Sequence, residues 1–351
     1  MNIDPENKCV LNRKVHIKYL LRFLEGLPSE FTSCDTTRIT IAYFIISSLD
    51  ILNSLNLVDA ERRNHIIEWI YSLQVVNDED LVSGFQGSST VNTLFNRNSN
   101  SLYKWSHLAG TYCGLCSLII LGDDLSKVNR GAIIKIVHVG LKSLQLTDGC
   151  FTGAKSGTEN DMRFLFMAAS ICYILNDWSA IDATKAIGFI KNSISYDYGI
   201  GQGPELESHG GSSYCAVATL CLINKLNVLS TMQIEGLRRW LLNRQVTGFQ
   251  GRPNKPIDTC YSFWVGAALK MLNAFQYSNY EDNRGFILAT QNNIVGGFSK
   301  WVNTHSDPLH TYLGLAGLSL IGEKGLNDIV PSLNITYRAL EHLRHIQLQW
   351  T

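Results

Sequence analysis

The chain has 351 residues with 30 basic and 30 acidic side chains, so no net field draws it to nucleic acid or anionic lipid and any basic site must be local. Nine cysteines without dense spacing fit reduced intracellular thiols rather than a disulfide framework. The apolar runs are too short or too interrupted to span a bilayer, and the opening MNIDPENKCVLNRK carries no charged-then-apolar signal, so a cytoplasmic protein not integral to a membrane is expected.

Apolar residues recur at helical spacing in block after block while period-2 alternation is scarce, which predicts an all-α chain. Residues 16–27 read as an amphipathic helix within an N-terminal extension over 1–30, and Thr36 to Leu52 as a helix apolar on nearly all sides. That pairing recurs. Helices with a charged face (59–75, 126–145, 179–194, 231–245, 280–291, 333–347) alternate with uniformly apolar ones (108–122, 161–176, 211–225, 258–273, 308–321). The apolar members must be buried and the others can face outward. Cys113, Cys116, Cys172, Cys215 and Cys221 fall in the apolar members and read as core side chains.

Each pair is joined by a glycine and aromatic turn: GFQG at 84–87, GCFTG at 149–153, GIGQG at 199–203, GFQG at 248–251 and GGFSK at 296–300. Phe151, Ile200, Phe249 and Phe298 follow one another at intervals of about 49 residues. Six inner helices in such pairs close into a ring around a central cavity, giving a single barrel domain over 1–351 with repeats clearest in 149–321. An open solenoid of the same pairs is the alternative.

The repeat decides which unusual residues meet. His209, Asp258 and Asp307 are one repeat apart, as are Tyr261 and His310, and Arg163 lies two repeats before Tyr261. All of them fall at the start of an inner helix, where the dipole and free N–H groups favour anions. Cys260 and His310 share a phase, so Asp258, Cys260 and His310 form a carboxylate, thiolate and imidazole set. Three such ligands leave a tetrahedral position open, as in a catalytic zinc site, and sulfur with imidazole favours zinc over magnesium or calcium. His209, Arg252, Lys255, Tyr261 and Lys300 add donors on the same rim, with Lys300 standing where other turns place Gly153 and Gly251. Beside an open zinc they imply a highly charged anion such as diphosphate. Phe44 and Trp264 would line an apolar interior, so a diphosphate joined to a long apolar tail fits.

Taken together, SHLAGTY, GTENDMRF, LESHGGSSYC, GRPNKPIDTCYSFWVGA and GGFSKWVNTHSDPLHTYLGL resemble the motifs of protein prenyltransferase β subunits, in order and spacing, from about Thr36 to the end. The likeness is greatest to those of the geranylgeranyltransferase type I class. It implies an α6–α6 barrel (α/α toroid), one zinc ion and an α subunit as obligate partner. The implied reaction transfers geranylgeranyl from its diphosphate to the cysteine of a C-terminal C-a-a-X sequence, X mainly Leu or Phe, on proteins such as Rho-family small GTPases. Asp258, Cys260 and His310 match the zinc ligands, and His209, Arg252, Lys255 and Tyr261 the diphosphate-holding residues. His107, Glu159 and Arg163 match a polar group near the end of the bound peptide. Thr40 and Phe44 match positions bordering the far end of the isoprenoid.

Three positions separate the implied class from farnesyltransferases by the same resemblance. Thr40 replaces a tryptophan that shortens the pocket, Leu309 replaces a tyrosine, and Lys300 replaces an aspartate that engages magnesium. Chemistry without magnesium is therefore expected, with Lys300 and Tyr261 acting on the departing diphosphate. Farnesyltransferase and Rab-type β subunits, a terpene cyclase, a six-hairpin glycosidase and a non-enzymatic repeat scaffold remain the other readings. No DxDD acid motif supports the cyclase.

Overall fold

The computed structural model describes residues 10–75, 83–90, 106–128, 143–154, 157 and 159–350. Its helices are α1 (Arg13–Glu25), α2 (Arg38–Ile51), α3 (Ala60–Ser72), α4 (Leu108–Leu121), α5 (Met162–Leu175) and α6 (Ala183–Asn192). They continue with α7 (Gly210–Leu222), α8 (Thr231–Leu242), α9 (Tyr261–Met271), α10 (Tyr280–Ala289), α11 (Pro308–Ile321) and α12 (Tyr337–Leu348). The inner set α2, α4, α5, α7, α9 and α11 packs each against the next, and α11 returns to α2. That return contact closes the ring and removes the open solenoid. The fold is the expected α/α toroid.

Burial follows the two helix types. Every residue of α4 except Ala109 is buried, whereas outer helix α8 buries only Leu237, Trp240 and Leu241. A helix covered on all sides needs apolar residues all round, and one on the rim needs a single stripe. The repeat turns do one job five times: each pairs the end of an outer helix with the start of the next inner one. Gln74 pairs with Phe85, Gln145 with Phe151, Ile194 with Ile200, Gln245 with Phe249 and Gln291 with Phe298. All five turn residues, Phe85, Phe151, Ile200, Phe249 and Phe298, are fully buried. They wedge outer against inner layer, which is why an aromatic or large aliphatic residue recurs there.

The far end of the ring is closed by a short hairpin, Ile329–Val330 paired with Ile335–Thr336. Its loop carbonyls accept hydroxyls from four inner helices: Asn334 from Tyr43 at 2.8 Å and Tyr312 at 2.6 Å, Leu333 from Tyr112 at 3.1 Å, and Pro331 from Tyr214 at 2.9 Å. Buried phenols need such partners, and the hairpin supplies them. The helix expected over 333–347 therefore begins only at Tyr337. Arg338 then ties α12 to Asp50 at 2.7 Å and to the Ile120 carbonyl at 2.7 Å. At the ring seam, α1 packs on α2, and Arg22 reaches the Val295 carbonyl at 2.6 Å. Cys113, Cys116, Cys172 and Cys215 are buried as expected, but Cys221 is half-exposed. Most of the expected helix over 126–145 lies outside the described residues.

Candidate metal centre and its cationic rim

The site grows out of helix capping. His107, Asp161, His209 and Asp307 are the N-caps of α4, α5, α7 and α11, and each side chain accepts a backbone N–H of its own helix. Asp258 occupies the same place in the repeat, yet α9 starts three residues later, at Tyr261, not at 258 as the apolar pattern suggested. The Asp258 carboxylate instead accepts the Cys260 N–H at 3.0 Å, in a tight turn that Thr259 pins to the Lys300 carbonyl. One Asp258 oxygen stays available, and the turn brings Cys260 up beside it.

Asp258, Cys260 and His310 come together as the repeat phase predicts: one ligand atom from each lies within 4.8 Å of the others. His310 Nε2 is 3.3 Å from Asp258 Oδ1, while its Nδ1 is 2.6 Å from Asp307 Oδ2. Asp307 is thus the group that orients the imidazole, holding the proton on Nδ1 and freeing Nε2 to ligate. Sequence reasoning placed Asp307 on the rim without this role, although the D-P-L-H spacing, a cap followed three residues later by histidine, is its signature.

The charges fit a cation at the centre of the three. Burial disfavours a protonated His310, but hydrogen bonds to Asp258 and Asp307 outweigh it and raise the imidazole to about 9. Burial and the neighbouring Asp258 carboxylate push the Cys260 thiol well above its ordinary value. Burial would likewise raise Asp258, but hydrogen bonds from His310 and Cys260 hold it below the usual carboxylate range. Without a metal the thiol keeps its proton and the imidazole holds one beside the Asp258 carboxylate; a bound metal would reverse that balance, taking the place of the imidazole proton on Nε2 and ionising the thiol outright. The donor set fits zinc.

Around this centre lies the rim. His209 Nδ1 accepts the Gly211 and Ser212 N–H groups at 3.0 and 3.3 Å, so its proton sits on Nε2, 2.9 Å from the Tyr261 hydroxyl. Burial, helped by the nearby Arg252 guanidinium, lowers His209 to about 4, so the ring is neutral and donates to Tyr261. The Tyr261 proton is then left free for an acceptor in the cavity. Its ring lies so close to Gly251 that a Cβ there would sit 2.1 Å from Tyr261 Cζ, which explains the glycine. Arg252 pairs with Glu207 at 2.8 Å, Lys300 Nζ stands 3.6 Å from Asp258 Oδ2, and Lys255 is exposed on the same loop as Arg252.

Behind the rim opens a cavity of about 360 Å³, lined at its mouth by His209 and Tyr261 and within by Thr40, Phe44, Trp264 and Leu309. The four residues expected to line an isoprenoid pocket therefore face one space. Its floor is the hydroxyl-linked trio Tyr43, Tyr112 and Tyr312, which the sequence reading did not single out because isolated tyrosines in apolar helices give no signal. Arg163 also lines this space and is fixed by Asp161, Nη2 to Oδ2 at 2.7 Å. Glu159 is 3.9 Å from Arg163, and burial lowers the pKa of His107 with the Glu159 carboxylate opposing. Glu159 thus lies near both Arg163 and His107, and of the three Arg163 lines the cavity.

Comparison with known proteins agrees with this architecture. The prenyltransferase alpha-alpha toroid domain matches residues 11–335. Geranylgeranyl transferase type-1 subunit beta of Dictyostelium discoideum is 36% identical over 345 residues, covering 94% of this chain and 96% of its own. The Arabidopsis thaliana protein of the same name is 37% identical over 336 residues, covering 91% and 88%. Among solved structures, Candida albicans protein geranylgeranyltransferase-I complexed with GGPP superposes with a TM-score of 0.86 at 26% identity, covering 96% of this chain and 99% of that one. On the closed ring, the cap-position site and these matches, the chain belongs to the prenyltransferase alpha-alpha toroid family, as an enzyme subunit of the type-1 geranylgeranyl transferase β class.

Proposed function

We propose that this chain is the catalytic β subunit of a heterodimer that moves a geranylgeranyl group from its diphosphate to the cysteine thiol of proteins ending in C-a-a-X, with X mainly Leu or Phe. The observation that carries it is the convergence of Asp258, Cys260 and His310 within 4.8 Å, next in sequence to Tyr261 and Leu309 of the apolar cavity. Zinc held by those three side chains supplies a Lewis acid at which a substrate thiol ionises near neutral pH. In the reaction a C–S bond forms as the bond from the first isoprenoid carbon to the bridging diphosphate oxygen breaks. The thiol proton goes to solvent and diphosphate departs.

The chain's own residues meet that departing charge. Tyr261, its hydroxyl already accepting from neutral His209, donates to a diphosphate oxygen. Arg252, Lys255 and Lys300 supply fixed positive charge, and Lys300 does so without magnesium. Thr40, Phe44, Trp264 and Leu309 hold the tail away from water. His107, Glu159 and Arg163 face the end of the peptide. Substrates of the Rho-family small GTPase kind and a cytoplasmic location follow from this reading. Among the described residues no helix is long and apolar enough to cross a membrane.

The test is co-expression with a prenyltransferase α subunit, metal analysis, and transfer of labelled geranylgeranyl to peptides ending in CaaL, CaaS and CaaM, with and without magnesium. One zinc per dimer and magnesium-independent preference for CaaL are expected. Equal transfer of farnesyl to CaaS and CaaM would point to the farnesyl class instead.

A further inference from the structure

On the outer wall, away from the cavity, a cleft of about 540 Å³ lies between the turn Tyr196–Tyr198 and helix α8, and it extends to Pro253 in the loop that carries Arg252 and Lys255. Arg244 lines it and is 8% exposed. Its guanidinium lies over the Trp240 ring, 4.7 Å from the centroid, and its Nε donates to the Trp240 carbonyl at 3.2 Å. Nη1 is buried and has no hydrogen-bond partner. Trp240 is itself locked by Asp197, which accepts the indole N–H at 2.8 Å and the Ser208 hydroxyl at 2.5 Å. The cation is thus held rigidly with donors unused. A buried guanidinium stays charged, and leaving it unpaired is costly.

The free charge in the cleft is positive. It amounts to one net charge: Arg244 and Arg239, the latter exposed on the edge, form no ion pair among the described residues, Glu235 is taken by Arg238 at 2.5 Å, and Asp197, whose two donors are neutral, offsets one of the two cations. Two anions this near make a doubly charged phosphate a poor occupant and a single carboxylate a good one. The flanks are apolar and open: Tyr196 is 95% and Met232 66% exposed. Aromatic residues, methionine and arginine around a desolvated charge are the make-up of a protein contact.

We infer that this cleft docks a carboxylate side chain of the companion subunit when the enzyme assembles. The relatives are named as β subunits, so a second chain completes the enzyme, and the inference rests on the heterodimer reading above.

The test measures the affinity of the zinc-loaded chain for a co-expressed prenyltransferase α subunit. Arg244→Gln is expected to weaken assembly roughly thirtyfold or more, as for loss of one member of a desolvated charge pair. Arg239→Glu, at an exposed position that cannot unfold the chain, should weaken it in the same direction. The conservative Arg244→Lys should recover only part, because an ammonium lacks the planar fork. Turnover at saturating α subunit stays near the parent value in all three. A photo-crosslinker at Met232 should mark an acidic segment of the α subunit. Unchanged affinity in both Arg244→Gln and Arg239→Glu, while the parent dimer is active, overturns the docking site alone. A parent chain that binds no α subunit overturns it together with the heterodimer reading. Stabilisation by millimolar acetate that needs Arg244, with assembly unaffected, assigns the cleft to a free anion and also overturns it.

Discussion

Asp307 holds His310 by two contacts at once: its Oδ1 accepts the His310 backbone N–H at 2.9 Å and its Oδ2 lies 2.6 Å from Nδ1. The helix cap and the ligand-orienting group are one side chain, so the fold and the metal site share a part.

Replacing Asp307 with asparagine separates the two functions, because asparagine caps a helix nearly as well but carries no charge. Zinc affinity should fall about ten- to a hundredfold, while the metal-free chain keeps its helix cap and still melts cooperatively, at a temperature lowered by loss of the Asp307 charge beside His310. Competition against a chromogenic chelator reads the first and a melting curve the second. Parent-like zinc affinity would mean that Asp307 only caps.

Lys300 stands beside Asp258 where a carboxylate would create a second cation site. Lys300→Asp should lose magnesium-free turnover by about 10²–10³, the usual cost of one lost donor to a developing anion, and regain part of it in millimolar magnesium. Turnover in a magnesium titration decides this. Parent activity in chelator would show that the ammonium has another task.

Thr40 lines the cavity, with the Cys113 thiol 3.8 Å from its hydroxyl. A tryptophan there fills space in a cavity of about 360 Å³. Thr40→Trp should move preference from the twenty-carbon toward the fifteen-carbon donor in a competition assay. Retained preference would put the length gauge at the tyrosine floor.

His16 carries a pH prediction. It is fully buried, its Nδ1 accepts the Gly297 N–H at 2.9 Å, and it stacks on Phe298 at 4.5 Å. Burial lowers it from 6.5 to about 4, with Gln291 opposing. The folded chain therefore resists protonation that the unfolded chain accepts. Stability is intact above about 6.5 and is lost as pH falls from there through about 4, by roughly 3 kcal/mol. Melting curves between pH 7.5 and 4 should show the loss, and His16→Gln should flatten part of it. A profile identical to the parent's would assign the acid sensitivity elsewhere, His209 being the next candidate.

Much of this was readable beforehand because the chain repeats. An interval of about 49 residues, with glycine and an aromatic or isoleucine before five of the apolar helices, carries the hairpin plan and the phase that brings Cys260 and His310 to neighbouring helices. Periodicity is a local signal, and identical units stack in one way. The same phase marks Asp258 and Asp307 as equivalent, yet one is a ligand-position carboxylate and the other orients a ligand. That difference comes from α9 starting three residues late, which only backbone geometry shows.

The sequence by itself therefore determined the helix alternation, the six-unit plan and the chemical types at the rim, since these depend on residue spacing along one strand of chain. Tertiary structure alone decided that the ring closes, that the hairpin at Ile329–Thr336 gives four buried tyrosines their acceptors, and that Arg244 is left with unused donors on the outer wall. Each of those is a contact between residues far apart in sequence, and no short-range pattern records where such a partner lies.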